Sequence, residues 1–109
     1  MAVVIQRFEV YLVSLDPTVG SEIQKSRPCL VISPDEMNRH INTVIVAPMT
    51  TGSKAAPFRI ALRFRGRSGL ILLDQIRAVD KARLTGRLGA VAPKTLQATL
   101  DALRQMFSD

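Results

Sequence analysis

The sequence is poor in the residues that build metal centres, disulfides and histidine-based active sites. Its 109 residues include one cysteine, Cys29, and one histidine, His40. A single cysteine forms no disulfide within the chain, and these two side chains alone cannot make a tetrahedral zinc site. A pair of histidines acting as acid and base is excluded as well. We therefore expect no metal and no other cofactor, with Cys29 as a core residue and His40 at the surface.

Long apolar runs and recognised catalytic loops are also missing. No run approaches the ~20 apolar residues of a membrane span, and the first residues do not resemble the apolar core of a signal peptide. There is no glycine-rich phosphate loop and no Gly-x-Ser-x-Gly turn. We expect a cytoplasmic protein without a membrane partner, folded as one domain over residues 1–109.

Positive charge is what the sequence has in excess. Fifteen Lys and Arg residues stand against nine Asp and Glu, for a net charge of +6, and eleven of the cations are arginine. Residues 54–87 hold nine of these cations and only two acidic residues. The planar guanidinium suits bidentate contact with phosphate, so the charge favours a polyanionic partner such as nucleic acid. The plainer alternative is that Arg59, Arg63 and Arg65 form the solvent face of one strand.

Short apolar runs separated by turn residues predict several strands. Alternation is clearest in residues 58–65, where Phe58, Ile60, Leu62 and Phe64 occupy every second position. The turn after it is predicted at Gly66–Gly69, closing a hairpin. The other predicted strands or extended segments are Phe8–Leu15, Pro28–Ser33, Thr43–Ala47 ended by Pro48, Leu70–Leu73 and Gln75–Val79.

Two helices complete the prediction. Ser33 is the expected N-cap of a short helix, with Pro34 at its first position and Glu36 closing a capping box. After Pro93, apolar residues recur at helical spacing: Leu96, Leu100, Leu103 and Phe107. Short strands with one terminal amphipathic helix predict a mainly β fold, a small barrel-like sheet.

Polar side chains cluster at the predicted ends of strands, where a rigid scaffold displays functional groups. Each has a structural alternative. Ser21 and Thr50 could satisfy turns, Arg27 could pair with Glu22, and Asp74 could cap the following backbone. The set comprises Ser21, Glu22, Arg27, Thr50, Thr51, Ser53, Lys54, Asp74 and Gln75.

Four segments in this order and spacing resemble the MazF/PemK (Kid) toxin ribonucleases. They are LDPTVGSE at 15–22, SRPCLVISP at 26–34, APMTTGSK at 47–54 and LDQIRAVD at 73–80, followed by VAP at 91–93 before the last helix. The resemblance covers residues 6–107. It implies an SH3-like barrel acting as a homodimer, which cleaves single-stranded RNA without metal or ribosome and is neutralised by a small acidic antitoxin.

The resemblance also assigns roles to single residues. Arg27, of the Arg-Pro motif, and Thr50, of the Pro-x-Thr segment, match the catalytic residues. They imply attack by the RNA 2′-hydroxyl, giving a 2′,3′-cyclic phosphate and a 5′-hydroxyl end. The remaining members of the set, Ser21, Glu22, Thr51, Ser53, Lys54, Asp74 and Gln75, are expected to bind substrate, and Glu22 could also orient Arg27 or accept a proton.

The sequence departs from the Kid-type members at two places, and from many relatives at a third. Those members carry histidine where this chain has Ser21 and arginine where it has Leu72, so it resembles the MazF-like branch instead. Many relatives also have glycine before the acidic residue where this chain has Phe8, followed by Glu9. We expect that change to alter a loop or strand edge rather than the chemistry.

Two other functions stay open at the level of sequence. The CcdB toxins share the expected fold but poison DNA gyrase. A basic RNA-binding module without catalysis would carry a similar excess of arginine. The two motif residues, Arg27 and Thr50, favour the ribonuclease.

Overall fold

Seven antiparallel strands form the sheet of this protein in a computed structural model, which describes residues 4–52 and 54–109. The strands are β1 (Glu9–Ser14), β2 (Ser26–Val31), β3 (Thr43–Thr51), β4 (Arg59–Phe64), β5 (Arg67–Leu72), β6 (Arg77–Asp80) and β7 (Leu84–Ala90). The helices are α1 (Asp35–His40) and α2 (Pro93–Met106), with 3₁₀ turns at Leu73–Gln75 and Lys81–Arg83. The strands follow the order β4-β5-β3-β2-β1-β7, and β6 pairs with β3 beside this path.

Strand β3 runs through Pro48, where the sequence predicted its end. Its first half, Thr43–Val46, pairs with β6, and its second half, Met49–Thr51, pairs with β5. Pro48 lies between the two pairings, opposite Cys29 of β2. Proline lacks an N–H and is tolerated where no ladder bond is needed. The predicted boundary was therefore wrong, because the missing donor falls where β3 changes partners.

Both faces of the sheet bury apolar side chains. Alternate residues of β1 belong to different clusters: Tyr11 and Val13 pack with Val44 and Val46, whereas Val10 packs with Ile71 and other residues below α2. Cys29 is fully buried in the first cluster, as predicted, and burial raises the pKa of its thiol to about 12. A thiol with that pKa is almost entirely protonated at neutral pH and is unsuited to nucleophilic catalysis.

The β4–β5 hairpin confirms the predicted alternation but places the turn earlier. Phe64 pairs with Arg67, leaving only Arg65 and Gly66 in the loop. Both have positive φ, 52° and 79°, as a type I′ turn requires. Residues 67–69, predicted as part of the turn, instead begin β5. A two-residue loop of this type twists with the strands and keeps the pairing in register up to the tip.

The two edge strands of the sheet approach each other through side chains. A Cβ on Gly89 of β7 would lie 3.3 Å from the ring of Phe64 on β4. Glycine therefore leaves room for the ring, which packs across the gap between β4 and β7. Among the described strands, no backbone hydrogen-bond ladder joins β4 to β7. This curled, incompletely closed sheet agrees with the predicted small barrel.

Helix α1 does not have the predicted capping box. Its N-cap is Pro34, with no side-chain hydrogen bond at the cap. The buried Ser33 hydroxyl donates to Asn38 Oδ1 at 2.5 Å and accepts from the Ile45 N–H at 3.1 Å. Ser33 therefore joins the helix to β3 instead of capping the helix, because burial gives its hydroxyl two better partners.

Helix α2 begins at Pro93, as predicted, and packs on the second cluster through Leu96, Leu100 and Leu103. Phe107 was predicted on the same apolar face, but it lies beyond the last helical turn and is 75% exposed. The backbone leaves the helix at this residue, so its ring no longer points at the sheet. Within residues 4–52 and 54–109, no helix has the length and apolarity needed to cross a bilayer.

The predicted extended segment Gln75–Val79 is also divided. Asp74 and Gln75 lie in the 3₁₀ turn, and the strand begins only at Arg77. The turn changes the chain direction between β5 and β6, which pair with different halves of β3. It thereby exposes Asp74 at a corner of the sheet.

Phe8 has the backbone conformation of a glycine. Its φ is 88°, which side chains with a Cβ rarely adopt, and its ring is 41% exposed. Its N–H donates to the Val31 carbonyl, and its own carbonyl accepts from the Val91 N–H. The backbone of Phe8 is therefore held between β2 and the short connection from β7 to α2. Position 8 thus has a backbone conformation that favours glycine.

We expect Phe8→Gly to stabilise the protein by about 1 kcal/mol, because relief of the positive φ outweighs the added flexibility of the unfolded chain. Phe8→Ala is the control, since it removes the ring but keeps the Cβ that opposes this φ. The measurement is the free energy of unfolding in urea. A glycine variant no more stable than the alanine variant would contradict this account.

Candidate functional site

Two grooves, each of about 430 Å³, lie beside strand β3. We call them the Arg27 groove and the Asp74 groove. The Arg27 groove is lined by Arg27, Pro28, Met49, Thr50, Thr51, Phe64, Arg65, Arg67, Ser68, Gly69 and Leu88. The Asp74 groove is lined by Ser21, Glu22, Ile23, Pro48, Arg59, Asp74, Gln75, Ile76 and Arg77. The predicted site residues are thus divided between two places.

Arg27 and Thr50 meet because of the register between β2 and β3. Cys29 pairs with Pro48 and Leu30 with Ala47. The same register continued by two residues sets Arg27 opposite Thr50, and both side chains line one groove. Thr50 itself pairs with Leu70 of β5 on its other side. The backbone of Thr50 is therefore held by β5, and its side chain shares one groove with Arg27.

The backbone of β5 comes unusually close to Thr50. A Cβ on Gly69 would lie 2.9 Å from the Thr50 carbonyl oxygen, nearer than real Cβ atoms come. Any other residue would push β5 away from β3 at this point. Gly69 therefore keeps the wall of the groove next to Thr50.

The Arg27 groove carries positive charge without acidic neighbours in its lining. Its cations are Arg27, Arg65 and Arg67, and its remaining lining residues are neutral. The half-buried Arg27 donates from Nε to the Gln24 carbonyl at 3.2 Å, which orients the guanidinium. None of the three ion pairs among the described residues involves these arginines. Such a surface attracts a phosphate, since a guanidinium can give two parallel hydrogen bonds to its oxygens.

The Asp74 groove contains a bidentate ion pair. Arg59 Nε donates to Asp74 Oδ1 at 3.1 Å, and Arg59 Nη2 donates to Oδ2 at 2.8 Å. The hydrogen bonds from Arg59 lower the pKa of Asp74 below its ordinary value, and those to Asp74 raise the pKa of Arg59. Arg59 comes from β4, directly opposite Leu72 in the register. The pair leaves a carboxylate that stays ionised at neutral pH.

The other predicted residues of this groove hold its loop. Gln75 Oε1 accepts from the Ile23 N–H at 2.7 Å, which ties the 3₁₀ turn to the β1–β2 loop. Glu22 Oε1 accepts from the Val19 N–H at 2.5 Å, so its carboxylate closes a turn within that loop. No ion pair joins Glu22 to Arg27 among the described residues. Ser21 is exposed at the groove's edge.

Ser53 and Lys54 are the remaining predicted site residues. Lys54 is exposed and lines neither groove, and Ser53 lies outside the described residues. His40 is the last residue of α1, exposed and in neither groove. Within the part of the chain that the structure describes, no three His, Cys, Asp or Glu side chains cluster as metal ligands would.

Sequence reasoning missed several lining residues. The sequence allows Arg59 and Arg65 to form the solvent-exposed face of one strand, and it predicts Arg67 in a turn. In the structure each of these arginines lines a groove. The excess of arginine over lysine in residues 54–87 was the available signal. It could not say which arginines share a groove with Arg27, because the strands that bring them there are far apart in sequence.

Comparison with known proteins agrees with this architecture. Residues 6–107 match the family described as PemK-like, MazF-like toxin of type II toxin-antitoxin system. The chain belongs to this family. It is 40% identical over 109 residues to an Escherichia coli protein named endoribonuclease PemK, covering 94% of this chain and 82% of that one.

Solved structures of family members have the same fold. MazF from Deinococcus radiodurans superposes with a TM-score of 0.84 at 26% identity, covering 96% of this chain and 97% of that one. A mycobacterial endoribonuclease solved with its cognate antitoxin gives a TM-score of 0.78 at 26% identity, covering 93% and 92%. The sheet order described above is therefore that of a PemK/MazF toxin.

We expect Arg59→Gln to raise the pKa of Asp74, because the variant loses the charged hydrogen bonds that favour the ionised carboxylate. Carbon-13 NMR titration of the carboxyl group measures it. Arg63→Gln, on the same strand, is the control.

The sign of the accompanying stability change follows from the lowered pKa. The ion pair's contribution to the free energy of unfolding is fully present above pH 3.8, the ordinary pKa of Asp. It is lost as the pH falls through the lower pKa that Asp74 has in the folded protein. The stability difference between wild type and Arg59→Gln should therefore shrink in acid. Equal Asp74 pKa values in the two proteins would contradict the assignment.

Proposed function

We propose that this chain is a metal-independent endoribonuclease toxin that cleaves single-stranded RNA, with the ribose 2′-hydroxyl as nucleophile. The observation that carries the proposal is the meeting of Arg27 and Thr50 in one open groove that has cations and no acidic residue in its lining. That arrangement suits a phosphodiester, and the relatives' names supply the class of reaction.

Arg27 is the group that stabilises charge in this mechanism. As the 2′-oxygen bonds to phosphorus, negative charge builds on the two non-bridging oxygens. A guanidinium oriented beforehand, here by the Gln24 carbonyl, can hold both oxygens without reorganising during the reaction. The 2′-hydroxyl loses its proton, the bond to the 5′-oxygen breaks, and that oxygen gains a proton. The products are a 2′,3′-cyclic phosphate and a 5′-hydroxyl end.

Thr50 positions the phosphate rather than taking the proton. A threonine hydroxyl is too weakly acidic to serve as an ionised base near neutral pH, but it donates one hydrogen bond and accepts another. Its backbone pairs with Leu70 of β5, and it lines the same groove as Arg27, so the hydroxyl is available to a phosphate held by the guanidinium. The distant His40 has no part in this mechanism.

The Asp74 groove is proposed to receive RNA bases. Ser21, Gln75 and the Arg59–Asp74 pair provide both donors and acceptors at its surface. Unstacked bases of single-stranded RNA expose edges that such groups can read. Glu22 would contribute through the loop it holds. Thr51, in the other groove, and the neighbouring Ser53 and Lys54 are proposed to contact the RNA backbone beside Thr50.

We expect Arg27→Ala to lower the cleavage rate by about 10²–10³-fold, the usual effect of removing one donor to a developing oxyanion. Thr50→Val, which keeps the shape of the side chain, should lower it by about tenfold or more, the worth of one hydrogen bond to a charged group. The assay uses purified protein, a defined RNA and EDTA, with end-mapping of the products. Arg39→Ala, on α1, is the control for loss of charge.

Three results would overturn the mechanism. Equal cleavage of an RNA with 2′-deoxyribose at the scissile position would exclude the proposed nucleophile. Intact RNA together with inhibited DNA gyrase would instead support a CcdB-like poison, and binding of RNA without any product would support a non-catalytic module.

Partners follow from charge and size. A small acidic antitoxin is proposed as the inhibitor, because the basic surface suits it and a structural relative was solved with its cognate antitoxin.

Each groove, at about 430 Å³, has the size of a small-molecule site and is too small for several nucleotides. A homodimer would join two basic grooves into a longer cleft. The cytoplasm, where messenger RNA is found, is the proposed location.

We expect sedimentation at micromolar concentration to show a homodimer, because one protomer offers too little groove for an RNA motif. Equilibrium sedimentation gives the mass directly. Arg39→Ala should sediment as the wild type does, since the change lies outside both grooves. A clean monomer in these runs would refute the shared cleft.

A further inference from the structure

Two arginines at the β4–β5 tip extend the Arg27 groove beyond the end of β3. The pairing between β3 and β5 ends at Thr51 and Gly69. Just beyond it the Gly52 N–H donates to the Ser68 carbonyl, so residues 65–67 project past the last backbone bond described between the two segments. Arg65, Arg67 and Ser68 line the same groove as Arg27. The hairpin tip forms one wall of that groove.

Turn chemistry does not explain arginine at position 65. Both loop residues of a type I′ turn need positive φ, and glycine, asparagine and aspartate are preferred there. Gly66 fits this preference, but Arg65 has a φ of 52° with a long side chain. Its presence at a conformationally unfavourable position indicates a role for the guanidinium itself.

The hairpin's three arginines differ in how they are bonded. Arg63 donates to the Gly66 carbonyl at 2.9 Å and to Ser68 Oγ at 3.5 Å, so it fastens the tip. Arg65 and Arg67 are exposed and make no such bond to the described residues, and neither belongs to the ion pairs found among them. Both residues line the groove, so their guanidinium groups are available to a ligand bound there.

Distance separates these donors from the reacting phosphate. Arg67 lies three residues along β5 from Leu70, the partner of Thr50. At a rise of ~3.4 Å per residue this is about 10 Å of strand. A ligand that contacts both Thr50 and the tip must span about this distance, and a strand of RNA with several phosphates can do so while meeting a cation at each end.

We propose that Arg65 and Arg67 bind phosphates of the RNA that flank the scissile phosphate. The inference rests on the proposed function, because the scissile phosphate is placed at Arg27 and Thr50. The two arginines neutralise backbone charge without reading bases, so they strengthen binding of longer RNA irrespective of sequence. Chemistry at the scissile bond is left unchanged.

The test measures RNA binding as a function of salt for the double variant Arg65→Asn, Arg67→Gln. Asparagine tolerates positive φ, so the turn should fold at least as well as in the wild type. Fluorescence anisotropy with an RNA that carries 2′-deoxyribose at the scissile position gives Kd without cleavage. Circular dichroism and the unfolding midpoint verify the fold.

A plot of the logarithm of the association constant against the logarithm of the salt concentration has a negative slope. Loss of two phosphate contacts should make that slope less steep by about 1.4, since each contact contributes about 0.7 for a single strand. If the two proteins bind RNA equally at 1 M salt, this difference in slope makes the variant bind about 25-fold more weakly than the wild type at 0.1 M salt. The rate at saturating RNA should be unchanged. A minimal RNA without flanking phosphates should bind both proteins equally. Arg39→Gln, outside both grooves, should lower neither the slope nor the affinity.

The outcomes separate this inference from the proposed function. An unchanged salt slope in a variant whose wild type cleaves RNA overturns the inference alone. Unchanged RNA binding with lost antitoxin binding assigns the tip to the antitoxin and overturns it as well. Absence of cleavage by the wild type overturns the proposed function, whereas a reduced slope would still support phosphate binding at the tip.

Discussion

The pairing of β3 with three other strands is the constraint on which both grooves depend. Within the described residues it is the one strand with three partners: β2 along one side, and β6 then β5 along the other. The exchange of β6 for β5 occurs at Pro48, which has no N–H to leave unpaired. After that exchange, Thr50 pairs with Leu70 of β5 and shares a groove with Arg27 of β2. A slip of one residue would turn Thr50 to the opposite face.

The two grooves differ in how they use charge. In the Asp74 groove a carboxylate and a guanidinium neutralise each other, leaving a polar surface with fixed donors and acceptors. In the Arg27 groove the arginines have no acidic residue beside them. A carboxylate near Arg27 would compete with phosphate for its donors. Keeping Asp74 and Glu22 in the other groove leaves the cationic field available to a polyanion.

Arg59 bears on how this chain departs from the Kid-type pattern. The resemblance implies arginine in those members at the position of Leu72. Here Leu72 is buried, and the residue opposite it on β4 is Arg59, whose guanidinium binds Asp74. A cation thus reaches the same carboxylate from the neighbouring strand. The sheet register, rather than the residue at one aligned position, determines the electrostatics of this corner.

Local sequence patterns determined much of the fold: the alternation of β4, the apolar run of β2 and the helix after Pro93 all agree with the structure. The motif segments also identified the family and singled out Arg27 and Thr50. Three local predictions were wrong: the end of β3 at Pro48, the cap of α1 by Ser33 and the burial of Phe107 on the helix face. In each case the environment of the residue depends on partners that are distant in sequence. Only the tertiary structure separated Asp74 from Arg27 and brought Arg65 and Arg67 into the groove that contains Thr50, since cross-strand register is fixed by the packing of the whole sheet.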